Sequence, residues 1–565
     1  MEDNLFSHFN AISVLIVFAF FSIFIWKLKY FKLSKPLKPL PPEISGGWPV
    51  IGQLLQFSGA DDIPLSRKLA TLAEKYGPVF TFRLGLPRVL VVSSYDAVRD
   101  CLNANDKAFA ARPASLAGEY IGYSNAMLFL ASYGPYWRKI RKIVLQGVLS
   151  SSRLEKLKIV RVSEVQTSIK ELFSLFPVTG DHSTVTGDHL HLPVTGDHSS
   201  IAGDNLPVTG DYVPVKLNLT NWIEKLTLSL IVKMIAGKSY GRLNEKGGEE
   251  EEEAERFKKA LKDFMYISME FVLWDAFPIP LFKWIDFQGH VKFMKRTFKD
   301  IDCVLQNWLD EHVKKREGVD VVAGNEQDFI DVMLSMMSNE DFADSYTRET
   351  TIKATALSMV LDASDTTAIH LNWVMATLLN HRDVMKKVQE ELDTKVGRNR
   401  WVEESDIKNL VYFQAVIKET LRLYPPAPLL VPHESVEDCI VHGYHIPKGT
   451  RLWVNTMKLQ RDPEIWSNPD TFDPERFLTS QAGFDVRGQQ YEFIPFGSGR
   501  RSCPGITYAT QVTHLAIAHL LQGFDFSTSL NEPLDMKEGL GMTMRKVNPI
   551  KVLLTPRLPS VLCKF

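Results

Sequence analysis

The residue best placed to do chemistry is Cys503, which lies in a loop rich in glycine and arginine. Residues 493–510 have the sequence FIPFGSGRRSCPGITYAT. Pro504 follows the cysteine, and the apolar run from Ile506 to Leu521 predicts a helix. Proline is favoured at the first helical position, so we expect Cys503 at a helix amino terminus. Unpaired N–H groups and the helix dipole stabilise an anion there, which favours a metal-binding thiolate.

The glycines of this loop are suited to holding a sulfur ligand. Gly497, Gly499 and Gly505 allow positive φ and close approach of the backbone. Such a loop can direct several N–H groups at one sulfur and so tune the donor strength of a metal-bound thiolate. The alternative interpretation is an ordinary buried cysteine beside a helix cap.

The same loop resembles a known family signature. Five positions match the heme-binding pattern FxxGxRxCxG of the cytochrome P-450 superfamily: Phe496, Gly499, Arg501, Cys503 and Gly505. The resemblance implies that Cys503 is the axial iron ligand of heme b and that Arg501 pairs with a heme propionate. It also implies that Phe496, Gly497 and Gly505 bind the heme. Thiolate ligation donates electron density to iron and favours cleavage of the O–O bond of dioxygen (O2).

A second group of reactive side chains lies inside an apolar helix predicted over Tyr346 to Leu379. Residues 361–367 are LDASDTT, and two carboxylates with three hydroxyls in an apolar run are costly unless they are paired or hydrated. The hydroxyls could simply bond back to the preceding turn. The segment also resembles the family element (A/G)Gx(D/E)T. That resemblance implies that Thr366 hydrogen-bonds O2 and that Asp365 relays protons, as general acid–base catalysis requires.

The match to this element is imperfect. Asp362 stands where the family favours alanine or glycine, and Ala363 stands where glycine is common. Asp362 and Asp365 are three residues apart on one helical face, so repulsion between the carboxylates is expected to raise the pKa of Asp365. This departure leaves the details of proton delivery open but does not affect heme binding.

Two further motifs precede the cysteine loop and resemble the ExxR and PERF elements of the family. Glu419 and Arg422 are three residues apart and share a helical face, which alone would describe an ordinary surface pair. The sequence Pro-Glu-Arg-Phe at 474–477 supplies Arg476. The resemblance implies a buried structural triad of Glu419, Arg422 and Arg476, for which the planar fork of arginine is well suited.

Other positions are assigned to the heme, the redox partner and the substrate by resemblance. Trp137 and Arg141 match WxxxR and, with His433, are expected to reach the heme propionates; the alternatives are a packed aromatic and a solvated cation. A basic patch, or else a solvated helix face, is formed by Arg138, Lys139 and Lys142. The expected substrate-lining residues are mostly apolar: Tyr120 to Ala126, Met265, Leu357, Leu361, Leu429, Leu430 and Met542.

The amino terminus predicts a single membrane anchor. Residues 11–26 are AISVLIVFAFFSIFIW, and with Phe9 and Asn10 they approach the roughly 20 residues that span a bilayer. Lysines follow this run and acidic residues precede it, which places the bulk of the chain in the cytosol. A cleaved signal peptide is the alternative, but a basic leading region and a clear cleavage site are missing. We expect a single-pass protein of the endoplasmic reticulum membrane.

The rest of the chain predicts one catalytic domain. We expect a lumenal terminus at 1–8, the anchor at 9–26, a basic Pro/Gly-rich hinge at 27–60 and the heme-thiolate domain at 61–565. Copies of PVTGD at 177–212 predict an exposed repeat loop. Helical periodicity dominates, so the fold class is mainly α with a small β region. The five cysteines include no CxxC pair, which argues against a disulfide framework.

Composition and resemblance together define the expected function. The 565 residues are 45% hydrophobic and 23% charged with a net charge of −2, so the chain is globular and has no bulk attraction to nucleic acid. Motifs along nearly the whole chain resemble plant A-type enzymes, and family 82 in particular. The resemblance implies a monooxygenase that uses O2 and electrons from NADPH through a membrane-bound reductase. Its substrate would be a hydrophobic plant metabolite such as an alkaloid, phenolic or terpenoid.

Two other functions fit the same scaffold. A heme-dependent isomerase or dehydratase would not need O2 or NADPH, but such relatives tend to lose the pair that Asp365 and Thr366 form here. A non-catalytic, membrane-anchored heme or lipid carrier would not need the oxygen-activation element at all.

Overall fold

The structure is a computed structural model that describes most of the chain outside its amino terminus. The described residues are 38–57, 62–176, 213–240, 249–270, 272–279, 282, 286, 288–317, 328–338, 345–528, 532–559 and 562. The fold is mainly α with a small β region, as the sequence predicts.

Helices make up most of the described residues. In chain order the α-helices are α1 Leu54–Phe57, α2 Leu65–Tyr76, α3 Tyr95–Arg99, α4 Leu116–Tyr120, α5 Pro135–Ile143, α6 Ser151–Lys156, α7 Lys158–Phe173, α8 Leu219–Ala236, α9 Glu249–Met269, α10 Leu273–Ala276, α11 His290–Glu317, α12 Phe329–Met336, α13 Arg348–Asn380, α14 Arg382–Lys395, α15 Val411–Leu423, α16 Thr456–Leu459 and α17 Ile506–Gly523. Short π-helices cover Asp100–Ala104 and Val144–Val148, and 3-10 turns cover Ile407–Asn409, Pro474–Phe477 and Gly499–Arg501.

The strands form small sheets at the side of the helical core. They are β1 Val79–Arg83, β2 Arg88–Val92, β3 Val215–Asn218, β4 His433–Glu434, β5 Cys439–Val441, β6 Tyr444–Ile446, β7 Arg451–Val454, β8 Phe524–Ser527 and β9 Lys551–Pro556. One sheet has the order β1-β2-β7-β4, a second has the order β3-β9-β8, and β5 pairs with β6. The β2–β7 pair is parallel, whereas β1–β2 and β4–β7 are antiparallel. This arrangement places His433 on the edge strand of the largest of these sheets.

Helix α13 runs through the main hydrophobic core. Its amino terminus is capped by Thr347, whose Oγ1 accepts the N–H of Thr350 at 3.1 Å. Most of its residues are buried, which is typical of a helix enclosed by other helices. It packs against α8, α11, α15 and α17. The polar residues near the middle of α13 therefore lie deep in the molecule.

The predicted helices are present, with small differences at their ends. The pattern at 153–176 is divided, because α6 ends at Lys156 and α7 begins at Lys158. The helix after Cys503 begins at Ile506 with Gly505 as its cap, so Pro504 precedes the helix and is not its first residue. Cys503 is therefore further from the helix end than the sequence predicted.

The globular part begins earlier than the predicted boundary at residue 61. Ile44 is buried, and its N–H donates to the carbonyl of Thr81 at 3.0 Å. The amide of Gln53 accepts the N–H of Arg83 at 2.7 Å and donates to the carbonyl of Ile44 at 2.8 Å. The segment 43–57 is thus tied to β1 and does not behave as a free spacer.

Two predicted segments lie outside the described residues: the anchor at 9–26 and the repeat loop at 177–212. Within the described part of the chain, we find no helix with the length and apolar character needed to cross a bilayer.

Candidate active site

An internal cavity of about 250 Å³ lies between α13, α5 and the loop that carries Cys503. Cys503 and Phe496 form one wall, and Asp362 and Thr366 of α13 form another. The remaining lining is mostly apolar, with a few charged groups that converge on the same space. A mostly apolar cavity with a few converging polar groups is the usual form of a ligand or cofactor site.

Backbone hydrogen bonds fix the position of Cys503. Its N–H donates to the carbonyl of Phe496 at 2.9 Å, which closes the loop. Its Sγ accepts the N–H of Gly505 at 3.3 Å. The sulfur therefore faces the cavity with one amide directed at it.

Burial makes the free thiol of Cys503 a weak acid. Burial raises its pKa to about 11, and the N–H of Gly505 and the charge of Arg141 offset only part of this effect. The N–H of Gly505 at the helix end does favour the thiolate, but in the protein alone burial outweighs it. A metal cation at this point would favour the thiolate far more strongly.

Three buried guanidinium groups surround the cavity. Arg112, Arg141 and Arg501 all line it, and burial lowers the pKa of each, to about 9 for Arg112 and about 10 for Arg501. None of them forms a salt bridge with a carboxylate among the described residues. Buried cations need anionic partners. The cavity is thus built to receive a dianion, and the two propionates of a heme meet this need.

Arg501 shows this requirement most directly. Its Nε and Nη2 donate to the carbonyls of Ala110 and Ala131 at 2.8 and 2.7 Å, but its buried Nη1 has no partner. The guanidinium stacks on the ring of Trp137 at 4.2 Å. The arginine is therefore held in place with one donor left for a ligand in the cavity.

The comparisons with known proteins agree with this geometry. The family model described as Cytochrome P-450 matches residues 41–174 and 208–554. The chain belongs to the cytochrome P-450 family. The gap between the matched segments contains most of the repeat loop.

Two relatives agree with this family, and one solved structure shares the fold. Nicotine N-demethylase CYP82E3 of Nicotiana tomentosiformis is 62% identical over 97% of this chain and 98% of its own length. Vinorine hydroxylase of Rauvolfia serpentina is 45% identical over 95% of each chain. A zebra fish cytochrome P-450 structure with progesterone has a TM-score of 0.67 at 24% identity, covering 88% of this chain and all of that one. The chain therefore resembles plant family 82, as its motifs predict.

As a cytochrome P-450 monooxygenase, the protein uses heme b, O2 and electrons from NADPH delivered through a reductase. The heme supplies the iron chemistry that activates O2. The residues present fit this cofactor: Cys503 provides the sulfur ligand, and Arg112, Arg141 and Arg501 provide cations for the propionates.

Trp137 and His433 both line the cavity, but their hydrogen bonds restrict what they can do. The indole Nε1 of Trp137 donates to the carbonyl of Leu128 at 3.2 Å, so this N–H is already used within the protein. Its ring packs on Arg141 and Arg501, and its predicted approach to the propionates stays a prediction. Nδ1 of His433 lies 2.7 Å from the carbonyl of Phe109. This bond leaves Nε2 to face the cofactor site.

The motif on α13 is divided between two surroundings. Asp362, Ala363 and Thr366 line the cavity, whereas Asp365 does not and is paired instead with Arg545. The hydroxyl of Thr366 donates to the carbonyl of Asp362. Ser364 donates to the carbonyl of Val360 at 2.7 Å. Thr366 and Ser364 therefore make the backbone bonds that the sequence allowed as an alternative.

The electrostatic coupling between the two aspartates differs from the prediction. Burial raises the pKa of Asp365, and Arg545 opposes that rise, but Asp362 is not among its causes. Instead, the charge of Asp365 affects Asp362. Burial raises the pKa of Asp362 to about 7, Arg112 opposes that rise, and Asp365 adds to it. Arg545 thus opposes the effect of burial at Asp365, whereas no direct ion pair opposes it at Asp362.

The structure brings the triad together in a fully buried position. Glu419 accepts Nε and Nη2 of Arg422 at 2.7 and 2.8 Å and Nε of Arg476 at 3.1 Å. Arg422 also donates to the carbonyls of Gln460 and Pro469 at 2.8 and 2.7 Å. The triad ties α15 to the segment that leads to the cysteine loop.

The predicted substrate-lining positions lie mostly outside this cavity, whose lining is that of the heme site, so their role stays a prediction. Leu430 lines it, but the other seven named positions do not: Tyr120, Ala126, Met265, Leu357, Leu361, Leu429 and Met542. Leu357 and Leu361 pack into the main core, Leu429 packs beside the β1–β2 sheet, and Met542 is 39% exposed. The side of α13 that faces the cavity carries Ser358, Met359 and Asp362 instead.

Sequence reasoning missed two charged residues of the site. Arg112 lines the cavity and donates to the carbonyls of Phe129, Val431 and Pro432 at 2.8–3.0 Å. Arg545 pairs with Asp365 from a distant segment, and nothing in the spacing of the sequence indicates that contact.

Proposed function

We propose that this monooxygenase removes the N-methyl group of a plant alkaloid, with nicotine as the first substrate to test. The proposal rests on sequence identity, which is higher to relatives named as N-demethylases than to relatives named as hydroxylases. Proteins named nicotine N-demethylase are 61–62% identical over 97–98% of this chain, whereas named hydroxylases are 45% identical or less. The lining around the cofactor site is mostly apolar, which suits the apolar part of such a substrate.

The proposed reaction balances with the substrates of the family. The N–CH3 group, O2, two electrons from NADPH and two protons give N–CH2OH and water. The N–CH2OH group then loses formaldehyde and leaves N–H. No further oxidant is needed.

The roles of the residues follow from their positions. The apolar walls hold the substrate and exclude water, while Thr366 faces the cavity with its hydroxyl bonded to the carbonyl of Asp362. To donate toward O2, Thr366 must release that bond. Asp365 lies behind it, paired with the partly exposed Arg545, and is therefore placed to pass protons inward from the protein surface.

The membrane anchor and the location are part of the proposal. The uncharged run at 11–26 and the lysines after it support a single-pass anchor in the endoplasmic reticulum membrane with the catalytic domain in the cytosol. Removal of residues 1–26 should move the protein from the membrane pellet to the supernatant after fractionation. Recovery in the pellet after an alkaline wash would contradict the anchor.

We place the reductase contact on the exposed side of α5. Arg138 and Lys142 are exposed there, and Arg141 on the same helix reaches the cavity. Complementary charge mainly raises the rate of association. The change Lys142→Glu should slow reduction of the heme at low salt and much less at high salt; equal rates at low salt would contradict the assignment.

The test of the activity is a reconstitution. The full chain is expressed with a plant NADPH–cytochrome P-450 reductase in yeast microsomes and supplied with nicotine. The expected products are the secondary amine and formaldehyde in equal amounts, both dependent on NADPH and O2. A protein with the red-shifted Soret band of its reduced carbon monoxide complex but without product would overturn the nicotine assignment. An isomer of the substrate formed without NADPH or O2 would favour an isomerase instead.

A further inference from the structure

Asp362 presents an unpaired carboxylate to the active-site cavity. Its side chain is exposed to the cavity although the residue lies in the middle of the buried helix α13. Asp362 lies four residues before Thr366, so the two side chains share a helical face, with Cβ atoms about 5–6 Å apart. A group bound to Asp362 therefore lies next to the place where oxygen chemistry occurs.

No described residue neutralises this carboxylate by direct contact. No hydrogen bond or salt bridge to its oxygens is formed within the described part of the chain, whereas Asp365 is paired with Arg545. Arg112 is the cation that influences it, but three backbone carbonyls already bind that guanidinium. Asp365 and Cys503 are coupled to it through their charges. The cavity that it faces is also lined by Arg141, Arg501, His370 and His433.

We propose that Asp362 binds the cationic nitrogen of a protonated amine substrate. The inference rests on the proposed function and deepens it, because it names the substrate class and the residue that selects it. An aliphatic tertiary amine is mostly protonated at neutral pH, and its single N–H can donate to one carboxylate oxygen. Such a charge-assisted bond in a dry cavity is stronger than a neutral one.

The chemistry of the position supports this assignment. An isolated carboxylate in an apolar cavity is costly unless a cation accompanies it. Burial has raised the pKa of Asp362 to about 7, so an arriving ammonium group would draw the carboxyl into its ionised form. The N-methyl carbon is one bond from the nitrogen, so the ion pair also orients the carbon to be oxidised toward Thr366.

The rival explanation is that Asp362 only balances the charge of Arg112. In that case its removal would disturb the site equally for any ligand. The two explanations differ in whether the effect depends on the charge of the ligand.

The decisive experiment compares a cationic and a neutral ligand of the same skeleton. Nicotine is the cation, and its N-methyl lactam, which is not basic, is the neutral probe. Equilibrium dialysis measures both dissociation constants for the full-length heme protein and for Asp362→Asn. Because a hydrogen bond to a charged group is worth about 1.5–3 kcal/mol, the variant should bind nicotine about tenfold to a hundredfold more weakly. The lactam should bind within about twofold of the original affinity.

Controls separate a local effect from a general one. Glu349→Gln removes an exposed carboxylate in the first turn of the same helix and should change neither constant. The reduced carbon monoxide spectrum of each variant reports an intact heme site. Equal loss of affinity for both ligands, or unchanged nicotine binding, would overturn the proposal.

Turnover distinguishes this inference from the proposed function. If nicotine is a substrate, Asp362→Asn should raise KM while kcat stays within about threefold, because the lost interaction is mainly one of binding. Demethylation with an unchanged KM would overturn the inference and leave the function standing. Selective loss of amine binding without any turnover in the original protein would overturn the function and leave the inference standing.

Discussion

The carboxylate of Asp365 is held by Arg545, which lies 180 residues further along the chain. Nη2 of Arg545 donates to Oδ1 of Asp365, and the guanidinium is partly exposed while the carboxylate is largely buried. Burial raises the pKa of Asp365, and Arg545 opposes this rise. The pair therefore keeps Asp365 closer to its ionised form at a position that burial would otherwise protonate.

Removing this cation should shift the pH dependence of turnover. In Arg545→Gln the pKa of Asp365 rises further, so a higher pH is needed to ionise it and the rising limb of the kcat profile moves to higher pH. At neutral pH we expect product formation to fall about tenfold or more and the release of hydrogen peroxide per NADPH to increase. Product, NADPH consumption and peroxide are measured together.

Matched variants make this test specific. Arg545→Lys retains the charge and should recover part of the activity, and Lys551→Gln removes an exposed cation on β9 and should have no effect. An unchanged pH profile in Arg545→Gln would show that the pair does not serve proton delivery.

Breaking the triad should destabilise the whole domain. Glu419→Gln leaves the buried guanidinium groups of Arg422 and Arg476 without their anion, which costs about 3–5 kcal/mol. The free energy of unfolding, measured with denaturant on the heme-loaded protein, should fall by about that amount. The control is Glu475→Gln in the same segment, whose surface pair with Lys387 is worth roughly 0–1 kcal/mol. Similar losses in both variants would contradict a special role for the triad.

Local spacing predicted that Glu419 and Arg422 share a helical face, whereas their burial in a triad and the role of Cys503 were implied by the resemblance to the family. The cysteine loop and the Glu419–Arg422 pair are defined within a few residues, so their geometry follows from turn and helix rules. The contact between Asp365 and Arg545 depends on the tertiary fold and left no trace in the spacing. The substrate-lining positions stay a prediction, because periodicity does not fix the rotation of α13 that decides which of its side chains face a substrate.

A second pH effect is expected at the His312–Asp328 pair, which does not line the active-site cavity. Nε2 of His312 lies 2.7 Å from Oδ2 of Asp328. Burial acts to lower the pKa of His312, but the hydrogen bond and charge of Asp328 outweigh it and raise the pKa above 6.5. The stabilisation is therefore complete below the pKa of the unfolded state and is lost as the pH rises through the higher folded pKa.

The variant His312→Gln tests whether the stabilisation from this pair falls as the pH rises. The difference in unfolding free energy between the original protein and the variant should be larger at pH 6 than at pH 9. It is measured by denaturant unfolding at both values. A larger difference at pH 9 would mean that the neutral imidazole makes the stabilising contact.

The conformation of Gly499 should determine how well the protein holds its heme. Gly499 has φ of +67°, and a Cβ at this position would lie 2.5 Å from the carbonyl oxygen of Leu102. A left-handed alanine costs about 1–2 kcal/mol, and the backbone oxygen leaves no room for the methyl group. The loop must then move, and Arg501 and Cys503 move with it because they lie within four residues.

Gly499→Ala should therefore lower the heme content per protein and weaken the red-shifted Soret band of the reduced carbon monoxide complex. Gly483→Ala is the matched control, since a Cβ there meets no atom within 4 Å and the glycine does not have positive φ. We expect the control to retain full heme content. Full heme content in Gly499→Ala at an unchanged thermal midpoint would contradict the prediction. The loop would then accept a side chain at this position, and the tight turn would not be what positions the sulfur ligand.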